Sequence, residues 1–158
     1  MSLVSRDYIQ RLLQSVAAAI ARALGRRDAG DLPGARRELD VAAAELLGPV
    51  GRLAPYVDAR TAADLIGDAH RTALWARLIA SDAELLELMG RPVEAVAARK
   101  RSLELLLEAW LREHALDAEG TSLLAQERAE VPTDSLDERY RDALGEVDLA
   151  GTPQRPAA

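Results

Sequence analysis

Apolar residues recur with a helical period along almost the whole chain, and breakers divide that pattern into segments. Ile9, Leu12, Leu13, Val16, Ile20, Ala23 and Leu24 fall on one face of a first helix. Ser5 is placed to cap it, with Val4 and Ile9 at hydrophobic-staple spacing. Arg26 and Arg27 suit its carboxyl end, and Gly30 stops it. A second helix opens at Asp31, with Pro33 tolerated in its first turn. It carries Ala35, Leu39, Ala42, Ala43 and Leu46 and ends at Gly48-Pro49. The tight turn between these helices predicts an antiparallel hairpin over residues 5–47. Pro49, Gly51 and Pro55 make residues 48–67 an irregular connector, ending in about two helical turns capped by Asp58.

A second hairpin is expected over 68–118. Asp68 caps a helix carrying Trp75, Leu78, Ile79, Leu86 and Met89, and Gly90-Arg91-Pro92 makes the turn. The return helix, from about Val93 to Leu116, buries Val96, Leu103, Leu107, Trp110 and Leu111. Residues 119–133 fit neither helix nor loop clearly. Ser135 and Glu138 form a capping-box pattern before Leu136, Tyr140, Ala143, Leu144 and Val147, which predicts a C-terminal amphipathic helix over 134–148. Residues 149–158 read as a disordered tail, leaving one all-α domain over 4–148.

The two hairpins share a frame of small residues. Gly30 has Ala23 seven positions before it and Ala35 five after; Gly90 has Ala83 and Ala95 at the same offsets. Ala42 and Ser102 follow the two glycines by twelve. This frame resembles the helical hairpin of tetratricopeptide repeats, whose turn reads Gly-Asp-x-x-x-x-Ala; here it is Gly30-Asp31 to Ala35 and Gly90-Arg91 to Ala95. The resemblance covers residues 14–48 and 74–108. The repeats stand sixty residues apart, against about thirty-four in a contiguous array, and most aromatic positions of that motif are not aromatic here. The layout, opening with Ser5-Arg6-Asp7-Tyr8-Ile9, resembles an uncharacterised bacterial family of such helical proteins. The resemblance implies a fold of two antiparallel tetratricopeptide-like hairpins and a non-enzymatic, scaffold-type role in protein binding. It also implies a groove lined by the first helix of each hairpin, here Leu24, Arg27 and Asp28, then Arg77, Glu84, Glu87 and Leu88. The partner is then another protein or a second copy in a homodimer.

Composition supports helix and removes much chemistry. Of 158 residues 49% are hydrophobic, yet aromatics make up 3% and Phe is absent, which disfavours sheet. The absence of Cys excludes disulfides, thiolate zinc sites, iron–sulfur clusters and a cysteine nucleophile. A net charge of −6 argues against general nucleic-acid binding. The apolar run after the first residues is interrupted by Gln14, Ser15 and Arg22, unlike a secretory segment, so a cytoplasmic protein without a membrane partner is expected. No P-loop, Gly-x-Gly-x-x-Gly or Gly-x-Ser-x-Gly occurs. A di-iron bundle needs Glu three residues before His; Gly67 and Leu111 stand there. His114 and Asp117 share a face, but two ligands do not hold a metal. No cofactor, metal or catalytic group is therefore expected.

Charge placement carries the remaining signals. Up to Arg37, seven arginines face three acids; from Asp134 to Asp148, six acids face two arginines. Arg22, Arg26, Arg27, Arg36 and Arg37 cluster at the first turn, an alternative site for a phosphate, nucleotide or other small anion. The acidic C-terminal helix is expected to dock on this basic hairpin, either within the chain or in a second protomer of a two-fold dimer. Asp82 lies on the apolar face of its helix, and antiparallel pairing about Gly90 sets it opposite Arg99, beside Lys100, as a structural ion pair. The same pairing sets Arg71 against Trp110, for stacking on the indole.

Overall fold

The computed structural model describes residues 3–151. Among them are seven α-helices and no strand: α1 (Leu3–Asp28), α2 (Leu32–Leu47), α3 (Ala59–Ile66), α4 (Ala69–Leu88), α5 (Pro92–Glu113), α6 (Ala118–Glu130) and α7 (Glu138–Gly151). Local chemistry sets most of the boundaries. Asp31 accepts from Gly34 N at 2.9 Å, Asp58 from Thr61 N at 2.9 Å and Asp68 from His70 N at 2.8 Å, so each satisfies an otherwise unpaired amide of a first turn. The Asp31 cap sits so close that a Cβ on Gly34 would lie 1.9 Å from its Oδ2. Both hairpin turns close through a left-handed glycine, Gly30 at φ +79° and Gly90 at φ +72°.

The shared frame of small residues is where the helices of each hairpin meet. Ala23 and Ala35 are buried between α1 and α2, and Ala83, Ala95 and Ser102 between α4 and α5. The Ser102 hydroxyl donates to Ala76 O at 2.8 Å, which satisfies it without spreading the helices. The connector is two short 3-10 turns, Gly48–Arg52 and Ala54–Tyr56, followed by α3. Helix α4 lies at the centre, touching α1, α2, α3, α5 and α6. Helix α5 packs on α3, α4, α6 and α7. Every residue of α5 from Leu105 to Trp110 is therefore buried, without a polar face.

Several expectations are corrected. Ser5 cannot be the first cap, because α1 already begins at Leu3; the expected staple involves Val4, whose side chain is outside the described residues. Val96, expected inside, is 55% exposed, because Ala95, Arg99 and Ser102 hold the inward line of α5. The return helix ends at Glu113, where His114 turns to φ +53°. Residues left open in the sequence form α6, capped by Asp117. Helix α7 starts at Glu138 rather than 134: the Ser135 hydroxyl donates to Pro132 O at 2.6 Å, and Asp137 O accepts from Tyr140 N at 3.0 Å. It runs on to Gly151, so only 152–158 of the expected tail lies outside the described residues.

The largest correction concerns where the C-terminal helix docks. Within the chain it packs on α5, not on the basic first hairpin. At this contact lies Glu108, a fully buried carboxylate of α5 that accepts from Arg139 Nε and Nη2 at 2.7 and 3.0 Å, Arg112 Nη1 at 2.6 Å and the Tyr140 hydroxyl at 3.1 Å. Leu136, Tyr140, Ala143 and Leu144 join the apolar core here, and specific bonds to a buried acid hold the contact where attraction between two exposed charged regions would be screened by water and salt. Burial by itself pushes the Glu108 carboxyl up, but the hydrogen bonds from Arg139 and Arg112 outweigh it and hold the group below its ordinary value. Helix α6 is held by a parallel device: Arg99 of α5 donates to Glu127 Oε1 at 3.0 Å, and both side chains are buried.

Candidate functional site

The basic cluster at the first turn is already engaged by acids of the same chain. Glu38 of α2 accepts from Arg22 Nε at 3.1 Å and Arg26 Nε at 3.2 Å, and Arg26 also reaches Asp31 at 3.2 Å. Arg27 binds its neighbour Asp28 at 3.2 Å. Arg36 holds Asp82 through two bonds, at 2.7 and 3.0 Å. Hydrogen bonds from Arg22 and then Arg26 hold the Glu38 carboxyl below its ordinary value, although burial opposes them. Arg37 is exposed and adds its field at Asp31. The structure therefore brings the five arginines together but pairs Arg22, Arg26, Arg27 and Arg36 internally.

The Arg36–Asp82 pair replaces the expected pairing of Asp82 with Arg99 or Lys100. At that level the α4–α5 interface is filled by Ala83 and Ala95, both fully buried, so the carboxylate turns instead toward α2. Arg99 is taken by Glu87 and Glu127, each at 3.0 Å, and Lys100 lies half-buried near Glu104. Arg71 likewise does not stack on Trp110; its Nε donates to Leu46 O at 3.0 Å, tying α4 to the end of α2. The side chains of Arg36 and Asp82 are 27% and 21% exposed. A double-mutant cycle of Arg36→Ala and Asp82→Ala should therefore give a coupling of about 1–2 kcal/mol in urea unfolding, between the exposed and buried limits for ion pairs. Additive single effects would show that the pair does not tie the hairpins together.

An apolar cleft of about 300 Å³ lies where α1, α4, the end of α5 and the start of α6 meet. Ile9 and Leu13 form its α1 wall, and Ala73 and Leu74 its α4 wall. His70, Arg77, Glu113 and Asp117 place both signs of charge around the apolar lining. Two of these groups are held: Arg77 Nη1 lies 2.8 Å from Glu119 Oε2, and Asp117 caps α6 by accepting from Gly120 N at 2.7 Å. The left-handed His114, edge-on to Trp110 at 5.1 Å, turns the chain from α5 toward this wall. No group of three or more His, Cys, Asp or Glu among the described residues is arranged to hold a metal ion. The cleft can seat an apolar side chain and orient a neighbouring charged one.

Of the groove positions implied by the resemblance, only Arg77 lines this cleft. Glu84 is half-buried and faces the carboxylate of Glu127, Glu87 is bound to Arg99, and Arg27 and Asp28 bind each other. Leu24 and Leu88 are exposed, 39% and 59%. Leu24 belongs to α1 and Leu88 ends α4, and α6 packs on α4. The α1 wall of the cleft, Ile9 and Leu13, belongs to the apolar stripe of that helix, where periodicity cannot distinguish a core from a groove wall.

No protein-family model matches the chain, and neither a curated protein nor a solved structure matches it.

Proposed function

We propose that this chain is a non-enzymatic protein-interaction module of tetratricopeptide-like type, recognising a partner through the cleft between α1 and α4. The observation that carries this reading is the cleft itself. The first helices of the two small-residue hairpins supply its apolar walls, and Arg77, a groove position implied by the repeat, stands on it. Such a shape suits one or two anchoring apolar side chains of a peptide segment, with His70, Arg77 and Glu113 selecting its flanking charges. Among the described residues no helix is long and apolar enough to cross a membrane, and we place the module in the cytoplasm. The partner is a different protein or a second copy of the chain. The small-anion reading of the arginine cluster has weaker support, because four of its five cations already have acids beside them.

Ala73→Phe fills the cleft without adding charge. Affinity capture from native lysate with wild type and with this variant, both checked for an unchanged melt, tests the reading. A discrete protein whose affinity drops by about tenfold or more in the variant is expected. Retention of nucleotide or nucleic acid, lost instead with Arg22→Ala and Arg26→Ala, would favour the anion reading. Light scattering in parallel distinguishes a separate partner from self-association.

A further inference from the structure

A second cleft lies on the opposite side of α4, bounded by α2, the connector and α5. It measures about 400 Å³, and Leu47, Trp75, Ile79 and Ala98 give it an apolar lining. Two charged side chains enter it, Asp40 from α2 and Arg101 from α5. Arg101 differs from the arginines of the first turn. Its Nη2 donates to the carbonyl of Ala54 at 2.8 Å, and its guanidinium carbon stands 5.4 Å from the centroid of the Trp75 ring. A carbonyl and an aromatic face fix the side chain without cancelling its charge. The acids that act on it, Glu104 and Asp58, do so through space. Burial is the main influence on this cation and draws its pKa below the ordinary value, as expected of a charge that lacks a close counter-ion.

We propose that this cleft is a binding site for a small apolar carboxylic acid in its ionised form, whose carboxylate pairs with Arg101 while its apolar body lies against Trp75 and Ile79. The ligand class follows from complementarity. The guanidinium has donors to spare in a fixed planar fork, which matches a carboxylate, and the remaining walls offer burial rather than hydrogen bonds. Asp40 sets a limit on the ligand. Its carboxyl is pushed up by burial and by the charge of Asp82, and in its ionised form it repels a second carboxylate. A single acid group on an apolar body is therefore preferred over a diacid. This site is independent of the partner-binding cleft, from which it is separated by α4.

Phenylacetate is a suitable probe, with phenylacetamide as its uncharged counterpart and acetate as the charge without the apolar body. The indole N–H resonance of Trp75 reports on the cleft, and that of Trp110 serves as an internal control. Phenylacetate should shift the Trp75 signal saturably, with an affinity in about the millimolar range for a ligand of this size. Phenylacetamide and acetate should each bind on the order of tenfold more weakly. Arg101→Leu should abolish the shift, Arg101→Lys should retain part of it, and Asp40→Asn should tighten binding. Equal binding of the amide, equal binding of acetate, or a shift at Trp110 without one at Trp75 would overturn the proposal. So would no saturable shift below about 10 mM. The amide and acetate comparisons use the wild-type chain, so the outcome stands even if Arg101→Leu fails to fold.

Discussion

Replacing Arg99 with alanine should cost about 3–5 kcal/mol at neutral pH, because it leaves Glu127 as a buried carboxylate with no cation. Glu127 is fully buried, its Oε1 depends on Arg99 at 3.0 Å, and its Oε2 has no hydrogen-bond partner. Burial raises the Glu127 carboxyl above its ordinary value, Arg99 partly offsets that, and Glu130 and Glu84 push in the same direction as burial. The sign of the pH dependence follows. A carboxyl raised in the folded state favours folding in its neutral form. That contribution is complete below the unfolded value, about 4.3, and is lost as pH rises through the raised folded value. Removing Arg99 moves the folded value further up, so the deficit of Arg99→Ala should shrink as the solution is acidified from pH 7 toward about pH 5. Glu127→Gln in the Arg99→Ala background should recover most of the loss at pH 7. Urea unfolding across that pH range measures both effects. A deficit independent of pH would mean that lost packing of Arg99, rather than the stranded acid, accounts for the cost.

Glu108→Ala should destabilise the chain by about 3 kcal/mol and release α7. The wild-type acid is fully buried, but its partners Arg139 and Arg112 have side chains 38% and 25% exposed. Those cations can return toward water, so the cost belongs at the lower end of the range for breaking a buried pair. Glu108→Gln keeps an acceptor and should cost about 1–2 kcal/mol. Released, the 14 residues of α7 are too few for a stable isolated helix. Amides of residues 138–151 should then exchange well before global unfolding, while those of α4 and α5 stay protected. The Glu108 carboxyl is held below its ordinary value, the reverse of Glu127. Its stabilisation is present above about pH 4.3 and is lost as pH falls through its lower folded value. Unchanged exchange in α7 would show that Leu136, Tyr140 and Leu144 suffice to hold it.

The two carboxylates also explain what periodicity could not detect. In α6 the inward positions include Gly120, Leu124 and Glu127, so the stripe that would announce a helix is broken by a glycine and an acid. In α5 the opposite problem arises: Leu105 to Trp110 are all buried, because α3, α4, α6 and α7 surround them, and a helix buried all round has no polar face to set its orientation. The cleft between α1 and α4 was hidden for a related reason. Ile9 and Leu13 look like core residues along the chain and become groove walls only where α4 and α6 stop short of covering them.

By itself the sequence determined six of the seven helices among the described residues, the left-handed turns at Gly30 and Gly90, the start of α2 at Asp31 and the aspartate caps at 58 and 68. These depend on backbone conformation and on contacts within a few residues, which a local pattern encodes. The frame of small residues about each glycine belongs to the same class, since helices joined by a tight turn have little choice but to meet there. Only the tertiary structure decided which charges meet. Arg36 and Asp82 are 46 residues apart, Arg139 and Glu108 are 31 apart, and Arg99 and Glu127 are 28 apart. A flexible arginine reaches whichever acid the packing of separate helices brings near it. That choice is set by the apolar contacts that orient whole helices, not by the spacing of charges along any one of them.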